Sequence, residues 1–231
     1  MDSKKFESIL RNDVETIFQE ILENFNFVLD ISAKSRSGAE ISDYLEDAFV
    51  DYFKDISHPR ITGAEGSPKG KTKNPFDFKF EYTYSDEDVE YNQELIWADI
   101  KACKKTYDDS NPDIGTPKKV IKYMKDGHFY LIYVMFEYEP TSDNKTRFLP
   151  FENNKYVKVI FLKNIHHTVR INPKPQLQVN SKMPEEYRTE MQFIDLLETK
   201  YNESLDRIME NVSKTRKKIK KDFDEIRNNM K

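Results

Sequence analysis

The chain has 231 residues, 37% hydrophobic and 34% charged, with 16 Phe and 13 Tyr, and this excludes disordered, collagen-like and low-complexity classes. Its formal net charge of −4 argues against a uniformly basic nucleic-acid binder, so any such contact must rest on local clusters such as Lys69, Lys71 and Lys73 or the run Lys214 to Lys221. The single cysteine, Cys103, excludes an intrachain disulfide, and no apolar run approaches the ~18 residues of a membrane span, so a soluble cytoplasmic protein with no membrane partner is expected.

Residues 4–29 carry apolar side chains at three- and four-residue intervals (Phe6, Ile9, Leu10, Val14, Ile17, Phe18, Ile21, Leu22, Phe25), the signature of one helical face. A second helix is predicted over 38–54, with Ile41, Leu45, Ala48, Phe49, Tyr52 and Phe53 inward, Ser37 as N-cap and Glu40 as its capping-box partner. Residues 57–75 hold Gly, Pro and three lysines and read as a loop. Alternating Phe76, Phe78, Phe80, Tyr82 and Tyr84 read as a strand, 85–92 as an acidic turn, and 93–103 as its antiparallel partner, with Cys103 a strand residue. Thr116-Pro117 opens a short helix that Gly127 closes, and 128–138, apolar on both faces, reads as a central strand. Another strand is expected over 156–163, irregular chain over 164–187, and one long helix or two in series over 189–229. The expected fold is α/β or α+β, a mixed central sheet flanked by helices. It forms one domain: N-terminal helices (1–56), sheet and loops (57–187) and a C-terminal helical extension (188–231).

Chemistry concentrates in two stretches, Asn74-Pro75-Phe76-Asp77 and Trp97-Ala98-Asp99-Ile100-Lys101. Side chains two apart on a strand share a face, so Asp99 and Lys101 point together while Ala98 and Ile100 point into the core. Asp77, from the preceding strand, can lie beside Asp99. Two carboxylates and the Ile100 carbonyl form an oxygen set suited to a hard divalent cation, and Lys101 can orient a water beside it. Such a set answers the demands of phosphodiester cleavage. His166-His167 is not expected to bind metal, because adjacent residues on a strand point apart.

Asp77 followed by Asp99-Ile100-Lys101 resembles the PD-(D/E)xK nuclease motif, with Phe76 inserted between the Pro and the Asp. The helix SRSGAEISDYLEDAF resembles the entry helix of type II restriction endonucleases, which place a further acid near the metal. Glu40 and Glu46 are the candidates. They lie about 240° apart around the helix, so only one can reach the site, and Glu40 is preferred here. The blocks GAEISDYLED, KTKNPFD, SNPDIGT, FYLIYV, NPKPQLQVN and EYRT together resemble the SwaI family of restriction endonucleases over most of residues 34–197, leaving the N-terminal helix and the C-terminal tail without clear correspondence. The resemblance implies a bacterial homodimer that cuts an AT-rich palindromic duplex, bluntly, with Mg2+ (Mn2+ able to substitute) and no nucleotide cofactor.

Three segments are candidates for DNA contact. Lys69, Lys71 and Lys73 precede Asp77 and can neutralise phosphates. Ser110 and Asn111 precede a helix N-terminus. Asn172, Lys174, Gln176, Gln178 and Asn180 share one face if the chain is extended, with Arg170 alongside, and amides suit adenine. The lysines near 214–221 and the heptad of the last helix leave a DNA brace, a dimer contact and a solvated face all open. Two other readings remain: a structure-specific DNA nuclease, and a non-catalytic DNA-binding protein with the same fold.

Overall fold

A computed structural model describes residues 3–32, 37–68, 76–86, 89–105, 115–151, 154–180 and 183–230; the side chains of 37, 86 and 89–91 are not described. Helix α1 spans Ser3–Asn24 and buries Phe6, Leu10, Val14, Ile17, Phe18, Ile21 and Leu22. It ends earlier than its apolar pattern suggests. Asn26 and Phe27 adopt left-handed backbone, φ 51° and 58°, and the chain reverses into β1 (Val28–Leu29). A non-glycine residue there costs on the order of 1–2 kcal/mol; Phe27 offsets it by stacking on Tyr156 at 4.1 Å. Helix α2 spans Ser37–Asp55. The Ser37 side chain of the expected capping box lies outside the described residues.

Strands β2 (Ile61–Gly66), β3 (Phe78–Asp86), β4 (Val89–Lys104), β5 (Leu131–Pro140), β6 (Thr146–Leu149) and β7 (Lys158–Phe161) follow, with α3 (Pro117–Lys125) between β4 and β5. Among the described residues seven strands form one sheet in the order β1-β6-β5-β4-β3-β2, with β7 also paired to β5. Among the described residues only β4 and β5 run parallel, and α3 lies in the crossover such a pair needs. The sheet is mixed, as expected. Strand β2 lies where the sequence reads as loop, β1 at the end of the predicted first helix, and β6 in chain without a strand signal: all three are short or rich in Gly and polar residues. A two-stranded ribbon, β8 (Arg170–Ile171) and β9 (Leu177–Gln178), precedes helix α4 (Glu190–Asn229). A capping box between Thr189 and Gln192 starts α4.

The sheet separates two cores. One face packs on α1 and α2 through Phe18, Phe49, Phe78, Phe80, Ile132, Val134 and Phe136. The other packs on α3 and α4 through Tyr123, Leu131, Tyr133, Met135, Ile160, Phe193 and Leu197. Alternate residues of β5 serve opposite cores, which is why that stretch is apolar throughout. Helix α1 is pinned by polar contacts as well. Asp13 accepts from Arg60 Nε and Nη2 and from the Tyr82 hydroxyl, each at 2.6 Å. Glu7 pairs with Lys163 at 2.5 Å, both almost wholly buried. Helix α4 still contacts the body at Arg207, which donates to the Ile171 carbonyl, and Leu205, Ile208, Val212, Ile219, Phe223 and Ile226 are all exposed. Among the described residues no helix is long and apolar enough to cross a membrane.

Candidate active site

Pairing of β3 with β4 stops at Phe78 and Ala98. Just beyond it, Asp77 donates its backbone N–H to the Ala98 carbonyl at 2.9 Å and accepts the Ile100 N–H on Oδ2 at 2.7 Å. The Asp77 side chain thus takes the place of a backbone partner where the ladder ends, and this fixes it against β4. Asp99 and Lys101 lie on the face of Tyr133 and Met135, their neighbours across the parallel pair. Strand periodicity has therefore placed them correctly, and Ala98 and Ile100 enter the first core.

Lys101 Nζ lies 2.5 Å from Asp99 Oδ2, with the two side chains only 25% and 19% exposed. Asp99 Oδ2 is buried, and the Lys101 ammonium is the cation that meets it. A buried carboxylate is costly without such a cation, so Asp99 depends on Lys101 for its charge. Burial, then the charge of Asp99, pushes the Asp77 carboxyl up to about 6, against the opposing pull of the Ile100 N–H and Lys101. Burial also raises Asp99, although Lys101 and, from α3, Lys119 hold it down. Burial disfavours the Lys101 ammonium, but Asp99 and Asp77 outweigh it and its pKa is raised. The set is one of excess negative charge held close, with a lysine that stays protonated.

The oxygen donors fit a hard divalent ion. Asp77 keeps one oxygen that Ile100 does not occupy, Asp99 lies beside it with Lys101 on Oδ2, and the Ile100 carbonyl belongs to the same part of β4. The Ser42 hydroxyl of α2 lies 3.3 Å from that carbonyl and 2.9 Å from the Gly38 carbonyl.

Helix α2 brings Glu46, not Glu40, toward these groups. Glu40 is exposed on the first turn. Glu46 Oε1 accepts the Ser67 N–H at 2.8 Å, and the same N–H reaches the Asp77 carbonyl at 2.6 Å. A Cβ at Gly66 would lie 2.6 Å from Glu46 Oε1, so any larger residue there would shift the carboxylate. Burial pushes Glu46 up to about 7; the Ser67 N–H lowers it, while Asp77, Asp47 and Asp43 add to the rise. Asp43 acts on Asp77 as well. Asp43, Ser42 and Lys119 were not singled out from sequence. The spacing of 43 and 46 on one helix face was the available signal. Among the described residues the acids do not close into one three-carboxylate shell; the three-residue His, Cys, Asp or Glu group that does close lies elsewhere, at His166, His167 and Glu186. The cleft between the end of α2 and β2, lined by Phe53, His58 and Gly63 among others, contains none of the acidic residues above.

The candidate DNA segments divide. Lys69, Lys71, Lys73, Ser110 and Asn111 lie outside the described residues. The row from 172 to 180 is not extended throughout. Asn172 Oδ1 accepts from the backbone N–H groups of Lys174 (2.9 Å) and Gln176 (3.0 Å), and Asn172 N–H donates to the Gln176 carbonyl at 2.9 Å. The Asn-Pro-Lys-Pro stretch is thus a tight turn between β8 and β9, with Asn172 turned inward on its backbone. The alternation survives from Gln176 onward: Leu177 and Val179 are buried while Gln176, Gln178 and Asn180 are partly exposed. Arg170 and Lys174 are exposed at the start and tip of the ribbon, and Arg207 of α4 braces it through the Ile171 carbonyl at 3.1 Å. Trp97 is packing, stacked on Tyr123 at 4.0 Å.

A family model described as SwaI restriction endonuclease matches residues 2–221. The chain belongs to this family, and α1, left unmatched by the sequence blocks above, lies inside the match. No curated protein matches. Among solved structures, NlaIV restriction endonuclease is similar, with a TM-score of 0.49 and 12% identity over 80% of this chain and 78% of its own.

Proposed function

We propose that this member of the SwaI restriction endonuclease family hydrolyses both strands of duplex DNA at a specific palindromic, AT-rich site. It leaves blunt ends and acts as a two-fold homodimer that requires Mg2+, for which Mn2+ substitutes, and no nucleotide. The observation that carries this reading is the convergence of Asp77, Asp99 and Lys101 where the β3–β4 ladder ends, in a chain that belongs to this family.

Asp77, Asp99 and the Ile100 carbonyl are the residues to hold the ion. When bound there, a divalent cation stabilises negative charge on the phosphate and acidifies water. Lys101, kept protonated by its two carboxylates, donates to the attacking water and holds negative charge that develops on it. Glu46, rather than Glu40, serves as the additional acid. Its raised pKa suits it to take a proton near neutral pH. Ser42 keeps the Ile100 carbonyl in place.

Recognition is assigned to the β8–β9 ribbon. Gln176, Gln178 and Asn180 offer amides to adenine edges, and Arg170 and Lys174 offer charge to phosphates. Lys69, Lys71 and Lys73 are assigned to DNA phosphates, and Ser110 and Asn111 to a base or a phosphate. The apolar stripe of α4, exposed among the described residues, supports the dimer, since a second copy would cover it.

The test is incubation of the purified protein with a long sequenced duplex and Mg2+. Discrete fragments with flush ends are expected. Smears or branch-dependent cuts would instead identify a structure-specific nuclease, and intact DNA a binding protein.

A further inference from the structure

Away from the acidic site, the chain between β7 and α4 brings together two histidines and a glutamate. His166 and His167 follow the short 3-10 turn Leu162–Asn164 rather than lying on a strand. Their rings are therefore not on opposite faces: the centroids are 4.2 Å apart and the planes 36° from parallel. This overturns the expectation that adjacent residues there must point apart. Glu186, from the segment that leads into α4, meets both. Its Oε1 lies 2.7 Å from His167 Nδ1 and 3.4 Å from His166 Nε2.

We propose that His166, His167 and Glu186 form a site for a borderline divalent transition ion of the zinc class, separate from the carboxylate site. Two imidazoles and one carboxylate are the donor set such ions favour over Mg2+. The three ligand atoms all lie within 4.8 Å of one another. Bonds of about 2.0–2.2 Å to a tetrahedral ion set ligand atoms roughly 3.3–3.6 Å apart. The His166–Glu186 spacing already meets this, and the His167–Glu186 spacing needs to open by about 0.6 Å.

The supporting shell is in place. Glu186 Oε2 is held by Arg188 Nη2 and by the His167 N–H at 3.1 Å, which leaves Oε1 as the ligand oxygen. His166 Nδ1 lies 2.9 Å from Thr168 Oγ1 and 3.4 Å from the Thr168 backbone N, contacts that fix the ring with Nε2 toward Glu186. Arg188 is itself anchored on the Ile165 carbonyl, and the Glu186 N–H on the Asn164 carbonyl at 2.8 Å. His166 is nearly buried while His167 is 63% exposed, so an ion can enter from solvent. The two histidines precede β8 and the glutamate follows β9. An ion would therefore tie together the two ends of the ribbon and fix its base.

The full chain is titrated with Zn2+ in saturating Mg2+, which keeps the carboxylate site filled. One zinc per chain is expected, with an X-ray absorption spectrum of two imidazoles and no sulfur, and a melting temperature raised by roughly 5–10 °C at a hundredfold excess over Kd. His167→Ala, at an exposed position, should fold normally and lose both the binding and the shift. Thr168→Val should weaken binding by about 10- to 100-fold. Absence of stoichiometric zinc, a sulfur ligand in the spectrum, or undiminished binding by His167→Ala would overturn the assignment.

Discussion

Replacing Asp77 by Asn should stabilise the metal-free protein at pH 8 while abolishing cleavage. The carboxyl is pushed from 3.8 up to about 6, by burial first and by Asp99 second. A raised carboxyl pKa means that the folded chain holds a proton the unfolded chain has released. Its contribution to stability is thus greatest below pH 4 and falls as pH rises from about 4 through about 6. Two pKa units at 1.36 kcal/mol each amount to about 3 kcal/mol of lost stability by pH 8. Asn has the same shape, and its Oδ1 can still accept the Ile100 N–H that Asp77 takes at 2.7 Å. Its amide N–H groups, facing an anionic neighbour but without full solvation, cost about 1–2 kcal/mol. A net gain of about 1–2 kcal/mol follows, which for a chain of this size is roughly 2–8 °C in Tm. Thermal melts of both proteins in EDTA at pH 8 and pH 4 provide the measurement. The advantage of the variant should shrink toward pH 4, where the wild-type carboxyl is protonated in the fold. Added Mg2+ should raise the wild-type Tm more than that of the variant. A variant less stable than wild type by the same margin at both pH values would refute the reasoning, because Asp77 would then be a structural carboxylate and not one of a pair held together for a cation.

Three further outcomes are expected. Asp99→Ala and Lys101→Ala should each reduce cleavage by about 10²–10³-fold or more, with specific binding in a Ca2+ gel-shift assay largely intact; equal cleavage by either variant in Mg2+ would remove it from the site. Glu46→Gln should slow cleavage at least about tenfold, and Gly66→Ala should do the same by displacing the Glu46 carboxylate, whereas Glu40→Gln should stay within about twofold in single-turnover assays; the reverse order of the two glutamates would restore Glu40. Glu7→Ala strands the buried Lys163 ammonium and should cost about 3–5 kcal/mol in urea unfolding, and a loss under about 1 kcal/mol would mean that the pair is solvated.

The elements that the sequence reveals are those whose contacts are local or periodic. Asp99 and Lys101 share a face because a strand has period two, and Asp77 lies one residue beyond the end of its own strand's pairing, next to the same edge of β4. Helix α2 was equally clear in its apolar face, but periodicity says only that Glu40 and Glu46 point in different directions, not which of them faces Asp77. That choice is made by the Ser67 N–H and the bare Cα of Gly66, both in a Gly- and Pro-rich stretch that reads as a loop and in fact contains β2. Two other differences come from applying strand geometry where a turn forms. Prolines in the stretch from Asn172 to Gln176 suggest extended chain, yet Asn before Pro is also a turn former, and Asn172 spends its side-chain oxygen on two backbone N–H groups. His166 and His167 would point apart in a strand, but they follow a 3-10 turn and converge on Glu186, 19 positions beyond His167. The common cause is that a turn brings side chains together through partners distant in sequence. The sheet that carries the acids could therefore be read directly, whereas the placing of Glu46, the β8–β9 turn and the histidine cluster depend on non-local hydrogen bonds that no period encodes.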